Sequence, residues 1–135
     1  MHKALIARLK ADSGINTATG GRINWMTRPQ GQGLPAIALQ QISGAREYGL
    51  AYVVGTAVGR VQVDMFASTY GAAKDLAGLV RQRLEGGPFT ASGQTVQTCF
   101  LIGERDLDGG QETEGVRVFR VSLDFEVRWN EETPS

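Results

Sequence analysis

The chain has 135 residues, enough for one core that buries roughly two-thirds of its surface and too few for two comfortable domains. Lys plus Arg and Asp plus Glu are equal at 14 each, so no global field draws nucleic acid or an acidic membrane, and sequence-specific DNA binding is disfavoured. A single cysteine, Cys99, excludes an internal disulfide, and a free thiol fits a reducing cytoplasm.

Among the cations only Lys3, Lys10 and Lys74 are lysines. An arginine excess suits planar contacts at interfaces, and a GC-rich genome produces the same bias. Lys3, Arg8 and Lys10 break the N-terminal apolar run, so no signal-peptide core is expected there. No stretch approaches the ~18 apolar residues of a membrane span, and a soluble intracellular product is expected.

Leu5, Ile6 and Leu9 recur at helical spacing, which predicts a first helix over about residues 2–12, with Ser13-Gly14 as its stop. Asn16 to Leu34 is rich in Gly, Thr and Asn and reads as an irregular connection holding one short strand at Arg22 to Trp25. Ala36 to Ser43 is an apolar strand, followed by a gap around Gly44 to Gly55. Val58 to Ala67 alternates, with Val61, Val63, Met65 and Ala67 inward and Arg60, Gln62 and Asp64 outward. These two runs are expected to pair antiparallel.

Ser68 or Thr69 caps a helix whose apolar side is Ala72, Ala73, Leu76, Leu79, Val80 and Leu84, and Gly86-Gly87-Pro88 ends it. Gln94 to Ile102 is the next strand, and Gly103 to Gly115 reads as a glycine-rich acidic loop. Val116 to Trp129 then alternates almost without slip: Phe119, Val121, Leu123, Phe125, Val127 and Trp129 on one face, Val118, Arg120, Ser122, Asp124, Glu126 and Arg128 on the other. Fully extended, that strand spans about 43 Å, against a radius of gyration of about 14 Å for a domain of this size. It must bend, or its hairpin end must project.

The order αββαββ predicts an α+β fold: an antiparallel sheet of about four main strands, two helices on one face and a long C-terminal hairpin, in one domain spanning 1–135. Glu131 to Ser135 is a polar tail.

Little in the sequence suggests reaction chemistry. His2 is the only histidine, beside Met1 at a fraying end, so Zn, Cys-His and Ser-His-Asp arrangements cannot be assembled. Asp106-Leu107-Asp108-Gly109-Gly110 resembles the opening of a calcium loop, yet Gln111 falls where the turn glycine belongs and Arg117 where the bidentate Glu belongs. No metal and no cofactor is therefore expected. The carboxylates Glu104, Asp106, Asp108, Glu112 and Glu114, offset only by Arg105, leave two readings: a solvated hairpin tip or an electrostatic contact to a partner. Gly20-Gly21 and Gly31-Gln32-Gly33 are turn glycines, since no Gly-Lys-Ser/Thr follows. Asp64 and Asp124 fit salt bridges with Arg60, Arg120 or Arg128 better than an acid-base pair, and Trp25 and Trp129 suit either a core or an interface.

Several short motifs occur in a telling order. Gly21-Arg22-Ile23, Arg28-Pro29-Gln30-Gly31, Leu34-Pro35-Ala36-Ile37 and Gln41-Ile42-Ser43-Gly44 are followed by Arg60-Val61-Gln62-Val63-Asp64, an Ala-rich helix from Tyr70, Glu104-Arg105-Asp106 and Ser122-Leu123-Asp124-Phe125. From about residue 3 to 129 the chain resembles the tail-completion proteins of long-tailed bacteriophages and gene transfer agents. That resemblance implies a non-enzymatic tail terminator or tail-to-head joining protein. It would form a ring, usually a hexamer, on the head-proximal end of the tail tube, with the tube protein and a neck or stopper protein as partners and DNA passing through the lumen. Arg22, Pro35, Gln62, Asp64, Arg105 and Asp124 would be fold and interface positions. The segment Tyr48 to Val58 departs from the family by being apolar and glycine-rich.

The candidate interface is Glu104, Arg105, Asp106, Asp108 and Glu112 on the acidic loop, with Arg60, Asp64 and Arg120 on the polar strand faces. Two other roles compete: a neck adaptor or stopper of the same particle, and a small intracellular ligand-binding module or enzyme with a pocket on the sheet, which the lack of a usable histidine disfavours.

Overall fold

Strands with an apolar face need a layer to cover that face, and here helices supply it. The computed structural model describes residues 1–26, 33–46, 56–111 and 117–130. Its elements in chain order are α1 (His2–Lys10), α2 (Ser13–Thr19), β1 (Ile23–Trp25), β2 (Ala36–Arg46), β3 (Thr56–Ala67), α3 (Tyr70–Leu84), β4 (Phe89–Ala91), β5 (Gln94–Gln111) and β6 (Arg117–Asn130). One six-stranded sheet runs in the order β1-β2-β3-β6-β5-β4.

The α+β class and the antiparallel β2–β3 and β5–β6 pairs agree with the sequence, while the count and the ends differ. Among the described residues there are three helices and six strands, not two and about four. The added elements are short: α2, β4, and β1, which was legible as a strand but runs parallel to β2 through Ile23↔Ile37 and Trp25↔Leu39. Ser13-Gly14 does not stop a helix. Instead Asp12 accepts a hydrogen bond from the Ile15 amide at 3.0 Å and starts α2, which buries Ile15 and Thr19 one turn apart and ends on Gly20 at φ 61°. Poor helix formers hid a helix that exists through its cap and its burial.

The acidic loop is also corrected. β5 continues to Gln111, so Gly103 to Gln111 is strand rather than loop, and β2 likewise runs on to Arg46. Residues 27–32, 47–55, 112–116 and 131–135 lie outside the described residues, and with them most of the Arg28–Gly31, Gly31–Gly33 and Tyr48–Val58 readings, Glu112, Glu114 and the polar tail.

The core lies between the helices and one sheet face. Leu5 and Leu9 of α1, Ile15 of α2, and Ala73, Leu76, Val80 and Leu84 of α3 join Ile37, Leu39, Val61, Val63, Met65, Leu123, Phe125 and Val127. Of the residues read inward on β3 and β6, all are buried except Phe119, which is half-buried, while Gln62, Asp64, Val118 and Ser122, read outward, are buried as well. Thr69, rather than Ser68, caps α3 by accepting from the Ala72 amide at 3.2 Å. α1 and α3 are tied at their C-terminal ends by a reciprocal pair: Arg8 Nε donates to the Arg83 carbonyl at 3.2 Å and Arg83 Nε to the Arg8 carbonyl at 3.3 Å. Each arginine thereby satisfies a last-turn carbonyl of the other helix.

Three register shifts in β5, at Val96/Thr98, Leu101/Gly103 and Asp108/Gln111, answer the question of strand length, because bulges bend and twist a long strand. β3 pairs with β6 only as far as Ala67↔Phe119, so the hairpin runs beyond it. Both tryptophans pack with the core, Trp129 buried and Trp25 half-buried. A Cβ on Gly59 would lie 2.9 Å from the Ser43 carbonyl oxygen and 3.0 Å from the Trp129 ring. Only glycine lets β2 and Trp129 close on β3 at that point. Cys99 is buried on β5, and burial, with Glu85 adding a smaller push, raises its thiol to about 12.

Phe125→Ala empties the centre of the core and is expected to cost about 3–5 kcal/mol in urea unfolding. Gly59→Ala, although it adds one methyl group, is expected to lower the melting temperature through overpacking of about 1–3 kcal/mol.

Candidate interface on the sheet

Directly paired residues in an antiparallel ladder share a face, so one inserted residue decides where the charges of β5 point. Before the bulge Leu101 pairs with Phe125, and after it Glu104 pairs with Leu123, on the same helix-covered side. Gly103, Arg105 and Leu107 pair with Asp124, Ser122 and Arg120, on the opposite side. The bulge around Ile102 thus sends Glu104 and Asp106 toward α3 and Arg105 away from it.

On the helix side, Lys74 of α3 is held between two carboxylates. Its Nζ lies 2.7 Å from Glu104 Oε2 and 3.0 Å from Asp106 Oδ1, and the Tyr70 hydroxyl donates to Asp106 Oδ2 at 2.9 Å. Lys74 first, then the Tyr70 hydrogen bond, holds the Asp106 carboxyl below its ordinary range. The same hydrogen bond pushes the Tyr70 phenol up, and the two carboxylates raise Lys74. This exposed clasp ties the outer part of β5 to the start of α3. Lys74, thirty positions away from Glu104, is the counter-charge that the local sequence conceals.

On the opposite side a polar chain crosses three strands. Arg120 Nη2 donates to Asp64 Oδ2 at 3.0 Å, and Gln62 Nε2 donates to both Asp64 oxygens at 3.1 Å. Gln62 Oε1 in turn accepts from Arg105 Nη2 at 3.3 Å, which also reaches Ser122 Oγ at 3.4 Å and Asp124 Oδ1 at 3.3 Å. Gln62, Asp64 and Ser122 are buried, at 8%, 6% and 0% exposure, although the sequence places them outward. Their burial is compatible with stability because each is hydrogen-bonded. Asp64 and Asp124 are linked only through Gln62 and Arg105, each beside an arginine, and form an ion-pair chain rather than an acid-base pair.

Of the expected interface residues, the structure thus brings Asp64, Arg105 and Arg120 into one network, and puts Glu104 and Asp106 on the other side of the sheet. Arg60 is exposed on β3, opposite Ser43 and Glu126 in register. Asp108 lies on β5 with its side chain outside the described set, and Glu112 lies outside the described residues. Sequence reasoning missed Lys74, Tyr70, and Gln62 as a bridge. His2 is not frayed but opens α1 with its ring centroid 5.4 Å from that of Trp25; burial and the N-terminal and Lys3 charges lower its pKa. Among the described residues no group of three His, Cys, Asp or Glu side chains is placed to hold a metal ion.

Comparison with known proteins agrees with this architecture. A solved structure described as the virion of a native gene transfer agent particle contains a chain that matches with a TM-score of 0.68 at 16% identity, covering 94% of this chain and 92% of that one. A second solved chain matches with a TM-score of 0.56 at 14% identity, covering 97% and 96%. No curated protein matches in sequence.

Asp64→Ala leaves Arg120 and the Gln62 amide without their acceptor and is expected to cost about 1–3 kcal/mol in chemical denaturation. The pH dependence of the clasp follows from its signs. Asp106 is depressed, so its contribution is present above the unfolded carboxylate value of about 3.9 and is lost as pH falls through the lower folded value. Asp106→Asn is therefore expected to return the Tyr70 phenol toward 10, read as a difference between the two ultraviolet phenol titrations. The family assignment is carried by the sequence match across residues 3–130: this chain belongs to the tail completion protein gp17 family and is a structural protein of a phage-type tail.

Proposed function

We propose that the chain is a tail terminator: a ring-forming subunit that caps the head-proximal end of the tail tube, stops its growth and presents a surface to the neck. The carrying observation is that the tail-completion match covers residues 3–130, nearly the whole described fold including the long hairpin. Likeness to a chain within a gene transfer agent particle supports the same fold. The role is geometric rather than catalytic. Identical subunits close a ring through a head-to-tail interface, and β5 and β6, the two longest neighbours in the sheet, reach past β3 to where a partner ring could meet them.

The proposed partners are further copies of the chain, probed as a hexamer, the tube protein, and a neck or stopper protein, with DNA sliding through the lumen. Balanced charge suits that passage, because a strongly cationic lining would hold phosphates. Within the particle the protein would sit at the junction of tail and neck.

Purified protein added to free tail tubes, with no heads present, is expected to bind one tube end and to halt elongation by added tube protein. Binding only after a neck is present would instead indicate an adaptor or stopper. Replacing Asp106 and Asp108 with Asn and Glu112 with Gln is expected to preserve folding and reduce head-tail joining; unchanged joining would remove these carboxylates from the interface.

A further inference from the structure

We infer that two copies pair face to face through an exposed strip that crosses the sheet on the side away from the helices, a contact independent of the ring proposed above. Phe100, Glu126, Arg60 and Ser43 stand directly opposite one another on β5, β6, β3 and β2. Their chain neighbours Cys99, Phe125, Val127 and Val61 belong to the core, so the row itself points away from it. All four residues of the row are exposed, Phe100 at 52%. Ile42 and Ile102, at the bulges of β2 and β5, follow Gln41 and Leu101, which pair with the core residues Val61 and Phe125. Alternation turns both isoleucines outward at the two ends of the row, where they are 44% and 45% exposed. Apolar groups gathered on one open strip and rimmed by charge mark a protein contact.

The order of the strip selects a second copy as its occupant. From β2 to β5 it runs aliphatic Ile42, cationic Arg60, anionic Glu126, then Phe100 and Ile102. A two-fold axis between two stacked faces, directed along the strands and placed between β3 and β6, exchanges β3 with β6 and β2 with β5. Arg60 of each copy then meets Glu126 of the other, and Ile42 meets Phe100 and Ile102. Within one chain Arg60 and Glu126 are paired in the ladder, yet among the described residues neither takes part in an ion pair, so both charges are available across the axis. The next two rows agree, because Asp124 meets Gln62 and Asp64 meets Ser122, and no like charges are opposed.

This arrangement is that of an aligned sandwich, with sheets about 10 Å apart and strands within about 30° of each other. The strip spans only about 14 Å between the axes of β2 and β5, three strand spacings, so the contact is narrow, reversible and weakened by salt. It is isologous and closes at two copies, unlike the head-to-tail contact of a ring.

The test is charge reversal with complementation on the full chain. Arg60→Glu alone and Glu126→Arg alone each set like charges against each other twice across the axis. An equimolar mixture of the two variants restores both opposite pairs, as does the double variant Arg60→Glu/Glu126→Arg. Each sample is followed by light scattering over a concentration series at low salt, with circular dichroism to verify folding, and is then added to tail tubes. The mass of the unaltered protein is expected to double with concentration, either single variant to raise the dissociation constant of that step about tenfold or more, and the mixture and double variant to recover it to within about threefold. No doubling, doubling that either reversal leaves intact, or a loss that neither the mixture nor the double variant restores would overturn the face contact. Rings that form without doubling would overturn it and leave the ring standing. Doubling with no ring in solution or on tubes would do the reverse, and a chain that stays single throughout would overturn both.

Discussion

The antiparallel pairing of β3 with β6 at the centre of the sheet is the interaction on which the rest of the molecule depends. Its twelve-residue register from Thr56↔Asn130 to Ala67↔Phe119 sets Val61, Val63 and Met65 beside Phe125, Leu123 and Val121 on the helix side. The same register sets Gln62 and Asp64 beside Asp124 and Ser122 on the other. A one-residue slip would bury the ion pairs under α3 and expose the apolar row, so both faces enforce one alignment. The buried amide of Gln62 adds specificity, since it bridges Asp64 and Arg105 only in that register.

Around this pair the chain is arranged twice over. Two helices, a short strand and two long strands precede the midpoint, and one helix, a short strand and two long strands follow it, with β1, β2 and β3 answering β4, β5 and β6 across the centre. The halves differ at their edges, where β1 lies parallel to β2 but β4 forms a hairpin with β5.

How much of this was legible in the sequence depends on how much each residue's environment is local. Period two in Val121 to Trp129 and helical spacing in Leu76 to Leu84 are statements about one face of one element, and both match the burial. The short elements α2 and β4 were not legible, because their formation rests on capping and on neighbours distant in the chain. The acidic run was misread for a different reason. Glu104 and Asp106 do alternate, but with charge rather than apolar side chains, since their covering layer offers Lys74 and Tyr70. The bulge at Ile102 is silent in the sequence, yet it decides that Arg105 leaves its neighbours and joins Gln62 and Asp124. Asp64, Arg105 and Arg120 were found by residue type and strand face; their linkage through Gln62 needed three strands in register.

The functional account thus rests on family membership for the tail and on sheet geometry for the ring. Its most direct test is the absolute mass of the purified chain by light scattering over a concentration series, with the same samples imaged by negative stain, alone and with tail tubes. The account predicts closed rings of a single subunit number, in solution or on tube ends. A chain that stays monomeric at every concentration and leaves tube ends bare would contradict it.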